Sequence, residues 1–316
     1  MHISIAGRLG SGKSTIARML GAEHGYEVYS TGAIQREIAH NRHVSTLEMN
    51  KLMAKDLSID HAIDDAVKRI SVERESETII FDSRMAWNFA VNSFKVFVTV
   101  DPLVAATRVM GDNRGEEEVY TDLEDAKSKL IKRGKLENER FIELYGVDNF
   151  NYKNYNLIID STFLTPDELA KTVYAKFQDY CKSKSKSEGG TLDIVLSPAS
   201  LYPLAGIKSI EAEMLNLRRD KMEYIHNHIS IVVFEGYHYI VDGLHRVLAA
   251  ILNGESLIHA EEVDLEKEPF FEDTQNIIAK IKEAGISAVY DLEEVGKFMY
   301  KSYPDHYDAS PDMHSK

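Results

Sequence analysis

The sequence of 316 residues contains a single cysteine, Cys181, and no apolar run that approaches the roughly 20 residues needed to span a bilayer. An intrachain disulfide is therefore excluded, and a reducing compartment is expected. Because residues 2–6 already have the pattern of a strand, we expect no signal peptide ahead of the first domain. Together these absences predict a cytoplasmic protein without a membrane anchor.

Positive charge is also scarce, with 37 Lys and Arg against 51 Asp and Glu and a formal net charge of −14. An acidic body is not attracted to nucleic acid or to an anionic membrane surface, so we expect neither as a partner. The hydrophobic content of 44% and charged content of 28% are otherwise ordinary for a globular protein. The length suits about two domains.

Residues 7–14 read Gly-Arg-Leu-Gly-Ser-Gly-Lys-Ser, which matches the phosphate-binding pattern G-x-x-x-x-G-K-[ST]. Glycines let successive backbone N–H groups turn toward a polyphosphate, the lysine reaches its β- and γ-phosphates, and the final hydroxyl ligates Mg²⁺. An apolar strand before the motif and a helical pattern at residues 16–20 supply the required context. The motif predicts that ATP and Mg²⁺ are bound through Gly7, Gly10, Ser11, Gly12, Lys13, Ser14 and Thr15, with Ser14 on the metal.

Strand and helix patterns alternate through the first half of the chain. This alternation predicts an α/β fold, a parallel sheet with helices on both faces. Polar residues follow each predicted strand, and ligands of such sheets collect at the carboxyl ends of the strands. The predicted strands are 2–6, 26–29, 78–81, 94–100 and 156–160, and the predicted helices are 13–22, 32–40, 46–70, 101–110, 121–145 and 165–180.

Candidate acceptor-binding residues follow two of these strands. Asp82 ends an apolar strand two residues before Arg84, where a carboxylate can hold Mg²⁺ through water or orient an acceptor group. A lone aspartate after a strand is usually a turn former, but the motif upstream and Arg84 favour the functional interpretation. Thr31 opens a helix that carries Arg36 one turn later, suited to grip a second phosphate.

Several arginines precede or lie on the helix predicted at 121–145. Phosphoryl transfer needs cations around the transferred group, and the planar arginine fork suits phosphate oxygens. Arg133 and Arg140 are seven residues apart and share one face of the helix, which residues 121–124 are expected to open as a capping box. Arg108 and Arg114 lie just before it. Pairing with nearby glutamates on a solvated surface is the alternative, but for the group we favour a basic lid.

Ordered blocks over residues 1–180 resemble the cytidylate kinases, above all their short archaeal-type form. The resemblance implies a nucleoside-monophosphate kinase fold with a P-loop core, an acceptor-binding region and an arginine lid. The blocks are Gly7–Thr15, Ser30-Thr31-Gly32 with Arg36, Asp82-Ser83-Arg84 with Trp87, Arg140 through Leu144-Tyr145-Gly146-Val147-Asp148, and Tyr155–Thr162.

The resemblance also implies roles for single residues. Two departures from the family pattern, Ala33 in place of an acidic residue and Ser83 in place of a glycine, leave the acceptor's identity open. Lys13 and Ser14 would serve ATP and Mg²⁺, Lys13, Asp82, Arg133 and Arg140 would be catalytic, Thr31, Arg36 and Arg84 would bind the substrate, and Ser14 and Asp82 would hold the metal.

Residues 181–190, Cys-Lys-Ser-Lys-Ser-Lys-Ser-Glu-Gly-Gly, lack apolar periodicity and are predicted to be a linker. The linker divides a first domain at 1–180 from a second at 191–300, which ends in helices and is followed by a polar tail at 301–316. In the second domain, two apolar runs flank Glu235-Gly236, which predicts an antiparallel hairpin.

The segment Asp242-Gly243-Leu244-His245-Arg246 follows the hairpin and opens a helix, with Asp242 as the expected N-cap. His245 and Arg246 would then project from the first turn, where the helix dipole favours an anion. A capped helix with two surface residues is the alternative interpretation.

The block over residues 191–265 resembles the ParB/sulfiredoxin-like fold, a smaller α+β nucleotide-binding fold that includes partition-protein CTPases, sulfiredoxin and an archaeal free-serine kinase. The resemblance implies that Asp242, Gly243, His245 and Arg246 contact the phosphates of a second nucleotide. Glu211 or Glu213 is the candidate carboxylate of this site.

Three functions are consistent with these motifs. The first, which we favour, is an ATP-dependent phosphotransferase that acts on a nucleoside monophosphate, CMP or dCMP. The second is a kinase of a small metabolite such as free serine that works through the second domain. The third is a non-enzymatic switch that senses CTP or another nucleotide.

Overall fold

The computed structural model describes residues 1–31, 58–111, 120–185, 192–203 and 228–263. The chain divides into two compact units, Met1–Asp193 and Ile194–Lys316. The strands of the first unit are β1 (His2–Gly7), β2 (Glu27–Ser30), β3 (Ile79–Asp82), β4 (Ser93–Thr99) and β5 (Leu157–Asp160), and its helices are α1 (Lys13–His24), α2 (Ser58–Glu73), α3 (Ala86–Phe89), α4 (Pro102–Gly111), α5 (Leu123–Tyr145) and α6 (Pro166–Ser185).

The five strands of the first unit form a parallel sheet in the order β2-β3-β1-β4-β5. Every residue of β1, β3 and β5 is buried, as expected for strands covered by helices on both faces. The predicted α/β architecture is confirmed, and each predicted strand matches the observed one within one residue at either end. After β1 the chain continues to β2 at one edge of this five-stranded sheet, and after β4 it continues to β5 at the other edge. A crevice is therefore expected between the carboxyl ends of β1 and β4.

The predicted helices of the first unit are confirmed where the structure describes them, apart from the following differences. The helix predicted to start at residue 46 is described only from Ser58 and continues to Glu73, and the helix predicted at 32–40 lies outside the described residues. The short helix α3 was not predicted. The N-cap of α5 is Asp122, whose side chain accepts the backbone N–H of Asp125, so the capping box expected to begin at Thr121 was wrong by one residue.

Helix α6 continues to Ser185, so the first five residues of the predicted linker are helical. Lys182 pairs with Asp179 one turn earlier, and lysines in the last turn complement the negative end of the helix dipole. These local interactions explain why the lysine-rich stretch remains helical without an apolar period.

The second unit contains a mixed sheet in the order β6-β10-β8-β9-β7. The predicted hairpin is confirmed, because β8 and β9 pair antiparallel around Glu235 and Gly236, whose φ angles of 51° and 95° are both positive. The elements of this unit are β6 (Asp193–Leu196), β7 (Tyr202–Pro203), β8 (Ile229–Phe234), β9 (Tyr237–Asp242), α7 (Leu244–Leu252) and β10 (Ile258–Glu262). The helices predicted after residue 273 and the tail lie outside the described residues.

Helices α4 and α5 pack closely through small side chains. Ala105, Ala106 and Val109 of α4 meet Ala126 and Leu130 of α5 in one buried cluster. Alanines on facing helices permit a short interaxial distance, so the first two turns of α5 are held against α4. Among the described residues, no helix is both long and apolar enough to cross a membrane.

A buried histidine joins the start of β1 to its neighbours. The Nδ1 atom of His2 accepts the backbone N–H of Ile79 at 3.3 Å, and its Nε2 atom donates to the carbonyl of Ser71 at 2.9 Å. Both ring nitrogens are therefore used by the neutral imidazole, and burial lowers the pKa of His2 below its usual 6.5.

We expect His2 to make the free energy of unfolding depend on pH. Because its folded pKa is lowered, its contribution is complete above the unfolded value of 6.5 and is lost as the pH falls from there through the folded pKa. Urea denaturation between about pH 7.5 and 5 should show this loss, and the slope should shrink in His2→Gln. The exposed His61→Gln is the control. An unchanged slope in His2→Gln would contradict the assignment.

Candidate active site

The phosphate-binding loop lies between β1 and α1, and its backbone runs very close to neighbouring elements. A side chain at Gly7 would overlap the carbonyl oxygen of Val98, and a Cβ at Gly10 would lie 2.9 Å from the carbonyl oxygen of Ala105. The backbone N–H of Arg8 donates to Val98 O at 3.0 Å. Glycine is required at both positions, since no larger residue fits between the loop and β4 or α4.

The first turn of α1 is open to an anion. Its N-cap is Gly12, with a φ of 80°, no side chain caps it, and no acidic residue stands in the first turn. Ser11 is buried, and its Oγ has no hydrogen-bond partner among the described residues. A glycine loop that ends in uncapped helical N–H groups and an unpartnered hydroxyl fits the phosphates of a nucleotide. Lys13 and Ser14 are the first two residues of this helix.

The sequence analysis grouped Arg108 with a basic lid, but the structure places its side chain beneath the phosphate-binding loop, bonded to that loop and to the residues after β5. Its Nη2 atom donates to the carbonyls of Ser161 and Thr162 at 2.6 and 3.1 Å, and its Nη1 atom to Ser161 Oγ at 3.1 Å and Gly10 O at 3.5 Å. Burial lowers the pKa of Arg108, while the charge of Asp160 opposes that shift. The guanidinium thus joins the end of β5 to the phosphate-binding loop.

Carboxylates at the same edge of the sheet have different partners. Asp101 Oδ1 accepts the N–H groups of Leu103 and Val104 and so caps α4. Asp160 Oδ1 accepts the N–H of Thr162 at 2.9 Å. Asp82 is buried beside β1 and accepts a long hydrogen bond of 3.4 Å from Ser30 Oγ.

Arg84 and Arg133 meet at one carboxylate. Arg84 Nη1 pairs with Glu137 Oε2, and Arg133 Nε donates to Glu137 Oε1 at 3.0 Å. The structure therefore brings together an arginine from the segment after β3 and one from α5. Glu137 was missed by the sequence analysis, although its position four residues after Arg133 was a signal.

Arg133 and Arg140 lie on one face of α5, as the sequence predicted. They line a groove of about 360 Å³. Four of its lining residues are cationic, which gives this helix face a strongly positive character. The lining residues are Lys129, Lys132, Arg133, Leu136, Glu137 and Arg140.

Asn149 connects the end of α5 to the segment after β3. Its Oδ1 atom accepts Trp87 Nε1 at 2.7 Å and Tyr155 Oη at 2.8 Å, and its backbone N–H donates to Asn138 Oδ1 at 2.8 Å. These buried hydrogen bonds fix the loop after α5 relative to α3. The sequence analysis missed Asn149, and its partner Trp87 lies 62 positions away along the chain.

Arg8 occupies a variable position of the phosphate-binding motif, yet its side chain is held in place. Its guanidinium lies 4.6 Å from the centroid of the Phe150 ring, a cation–π contact. Burial lowers the pKa of Arg8, while Tyr152 and Asp148 oppose the shift. The loop after α5 is therefore joined to the phosphate-binding loop as well as to Trp87.

The model of the cytidylate kinase-like family matches residues 2–162, half of the chain. The chain belongs to this family. A cytidylate kinase of Thermoplasma acidophilum is 30% identical over 174 residues, 54% of this chain and 88% of its own length. A cytidylate kinase of Methanosarcina mazei is 34% identical over 51% of this chain and 87% of its own length. The first unit is thus a nucleotide kinase.

A similar segment is found in a longer protein. The S-adenosylmethionine-dependent nucleotide dehydratase of Lacinutrix mariniflava is 29% identical over 178 residues, which are 56% of this chain but 36% of that protein. A cytidylate kinase-like unit therefore also occurs as part of a larger chain.

One further predicted site residue of this cytidylate kinase-like chain is described, and four residues from the sequence analysis fall in other segments. Thr31 directly follows β2 at the end of a described segment. Arg36, Arg114, Glu211 and Glu213 lie outside the described residues.

In the second unit, the expected N-cap role of Asp242 was wrong. Gly243, with a φ of 101°, is the N-cap of α7, and a Cβ there would lie 2.7 Å from Ile229 Cγ2. Asp242 is the last residue of β9 and instead pairs with Arg246 Nη2 at 2.7 Å, while Arg246 Nη1 donates to the carbonyl of His228. His245 Nε2 is buried, with no partner among the described residues.

We expect Arg108→Met to lower the free energy of unfolding by about 2 kcal/mol, because the carbonyls of Ser161 and Thr162 lose a charged donor. Chemical denaturation at neutral pH measures this loss. Arg69→Met removes an exposed arginine paired with Glu73 and should cost less than about 0.5 kcal/mol. Equal free energies of unfolding in the two variants would show that the hydrogen bonds of Arg108 to Ser161 and Thr162 do not stabilise the fold.

Proposed function

We propose that the first unit transfers the γ-phosphoryl group of ATP to CMP or dCMP. The observation that carries the proposal is the convergence of Arg84 and Arg133 on a single carboxylate, since two guanidinium groups that meet at one acid can also meet at one phosphate. In this proposal the phosphate-binding loop supplies the donor site, Arg84 belongs to the acceptor site, and Arg133 serves the transferred group from α5.

On the donor side, the residues fit ATP and Mg²⁺. The uncapped helix start and the unpartnered Ser11 hydroxyl fit the phosphates, and Lys13 provides the charge for the β- and γ-phosphates. The hydroxyl of Ser14 and the carboxylate of Asp82 are hard oxygen donors, which Mg²⁺ prefers together with several waters. When bound, the ion would neutralise charge on the β- and γ-phosphate oxygens.

On the acceptor side, the proposal assigns Arg84 and Arg36 to the phosphate of the monophosphate and Thr31 to its phosphate or sugar. Asp82 and Ser30, joined by a hydrogen bond, offer an acceptor and a hydroxyl to the sugar or the base. Ser83, at the position where the resemblance leads us to expect glycine, places a hydroxyl between Asp82 and Arg84, and its Oγ accepts the N–H of Met85.

The transfer itself needs positioning and charge neutralisation. An oxygen of the acceptor phosphate forms a bond to the γ-phosphorus, and the bond from that phosphorus to the β–γ bridging oxygen breaks, leaving ADP with the electron pair. Lys13, Arg133 and Arg140 would offset the charge on the oxygens of the transferred group. Closure of the basic face of α5 over the phosphates would exclude water and limit hydrolysis.

A coupled assay of ADP release with CMP, dCMP, UMP and AMP tests the proposal. We expect turnover with CMP and dCMP above that with UMP and AMP. If none of the four is phosphorylated, the proposed acceptor class is wrong.

In the same assay, Lys13→Met should lower kcat by about 100-fold or more, because one preorganised cation at the transferred group is removed. The exposed Lys171→Met, which breaks only a surface pair with Asp167, should leave kcat unchanged. Retained activity in Lys13→Met would remove the phosphate-binding loop from the mechanism.

A second candidate function concerns the second unit, for which we propose a nucleotide site at the start of α7. The buried, unpartnered His245 Nε2 favours it, because such an atom loses solvation unless a ligand pairs with it. Gly243, with its left-handed backbone, brings the start of the helix close to β8, and Arg246 is held beside it. A metabolite kinase and a CTP-sensing switch would both use this site.

Calorimetric titration of CTP into the full chain, with the phosphate-binding loop saturated by a non-hydrolysable ATP analogue, tests this second site. One CTP should bind per chain, about tenfold more weakly in His245→Ala, because one hydrogen bond to the ligand is lost. His259→Ala in the same unit is the matched control. Absence of CTP binding, or equal affinity in both variants, would contradict a phosphate role for His245.

A further inference from the structure

Glu137 occupies an unusual position for a carboxylate, in the middle of the basic face of α5. Among the described residues that line the groove on this face, it is the single acid beside Lys129, Lys132, Arg133 and Arg140. Its side chain is 25% exposed, far less than a freely solvated glutamate. An acid in this setting offsets the repulsion among the surrounding cations.

The two oxygens of Glu137 divide between two structural elements. Oε1 accepts from Arg133 on the same helix, and Oε2 pairs with Arg84 from the segment after β3. A phosphate between two arginines presents its oxygens in the same manner, one toward each guanidinium. The carboxylate therefore has the geometry of an internal substitute for a phosphate.

Arg84 pairs with Glu137 through Nη1, one end of a guanidinium that has five N–H groups. A phosphate that approached this guanidinium would bring its negative charge next to the carboxylate. Two anions within about 4–6 Å of each other oppose one another, the more so where solvent is partly excluded. Glu137 must then withdraw from Arg84, or the phosphate binds more weakly.

We propose that Glu137 sets the affinity of the chain for the acceptor. Its carboxylate pairs with Arg84 and Arg133 when the acceptor is absent, and it competes with the acceptor's phosphate for Arg84. This inference rests on the proposed function, in which Arg84 contacts the acceptor. The pair between Glu137 and Arg84 also joins α5 to the segment after β3 until a phosphate displaces the carboxylate.

The variant Glu137→Gln tests the competition, because the amide keeps the size of the side chain and removes its charge. We expect KM for the acceptor to fall about fivefold, the effect of removing one partly exposed competing charge. The calorimetric Kd of inorganic phosphate should fall in parallel. If Glu137 only stabilised the fold, its loss would raise KM or leave it unchanged, so the direction of the change separates the two roles.

The matched control is Glu139→Gln, which removes the same charge from the same helix at an exposed position outside the groove. Its KM and its phosphate Kd should stay at the values of the parent chain. The melting temperature of each variant is measured alongside, and Glu137→Ala provides a second neutral side chain if the amide perturbs folding.

Titration with inorganic phosphate separates failure of this inference from failure of the proposed function. If the parent chain phosphorylates none of the monophosphates, the proposed function is wrong, and the phosphate titration still compares Glu137→Gln with the parent. Tighter phosphate binding in folded Glu137→Gln than in Glu139→Gln supports the competition. Equal or weaker phosphate binding, or a raised KM, overturns it.

Discussion

The first unit depends on the close approach of the phosphate-binding loop to β4 and α4. Gly7 lies against Val98 and Gly10 against Ala105, with no room for a Cβ at either position. The same loop ends at Gly12, the N-cap of α1, where no side chain caps the first turn of the helix. The site for phosphates is therefore a product of backbone packing, and Arg108 completes it by joining Gly10 to the end of β5.

A second set of interactions fixes the arginine-bearing helix. Ala126 and Leu130 hold the start of α5 against α4, and Tyr145 at its end donates to Asp64 of α2 at 2.5 Å. Asn149 then joins the following loop to Trp87. The helix that carries Arg133 and Arg140 is thus attached to α4 at its start, and to α2 and, through Asn149, α3 at its end.

The parts of this fold that could be predicted are those with a local signal. Strands β3 and β5 are buried on both faces and begin with three consecutive apolar residues, a local signal that can be read from the sequence. The ends of all five strands were predicted within one residue. The single-turn helix α3 is too short to show a helical period. The hydrogen bond from Arg108 to Ser161 joins residues 53 positions apart, and the one from Trp87 to Asn149 joins residues 62 positions apart. Neither hydrogen bond could be inferred from spacing in the sequence. Asp242 was predicted as the N-cap because aspartate is a common N-cap residue. The left-handed backbone that makes Gly243 the N-cap cannot be read from the sequence.

Glu137 and Arg133 lie on one helix, whereas Arg84, the other partner of Glu137, lies outside it. The two ion pairs would therefore respond differently to a displacement of α5. Residues four apart on a helix travel together, so their pair survives any rigid displacement of α5. The link to Arg84 crosses from one element to another and must break whenever the two separate. A spectroscopic label that senses the Arg84–Glu137 distance would therefore respond to any displacement of α5 from the segment after β3, with no bound nucleotide needed as the reporter.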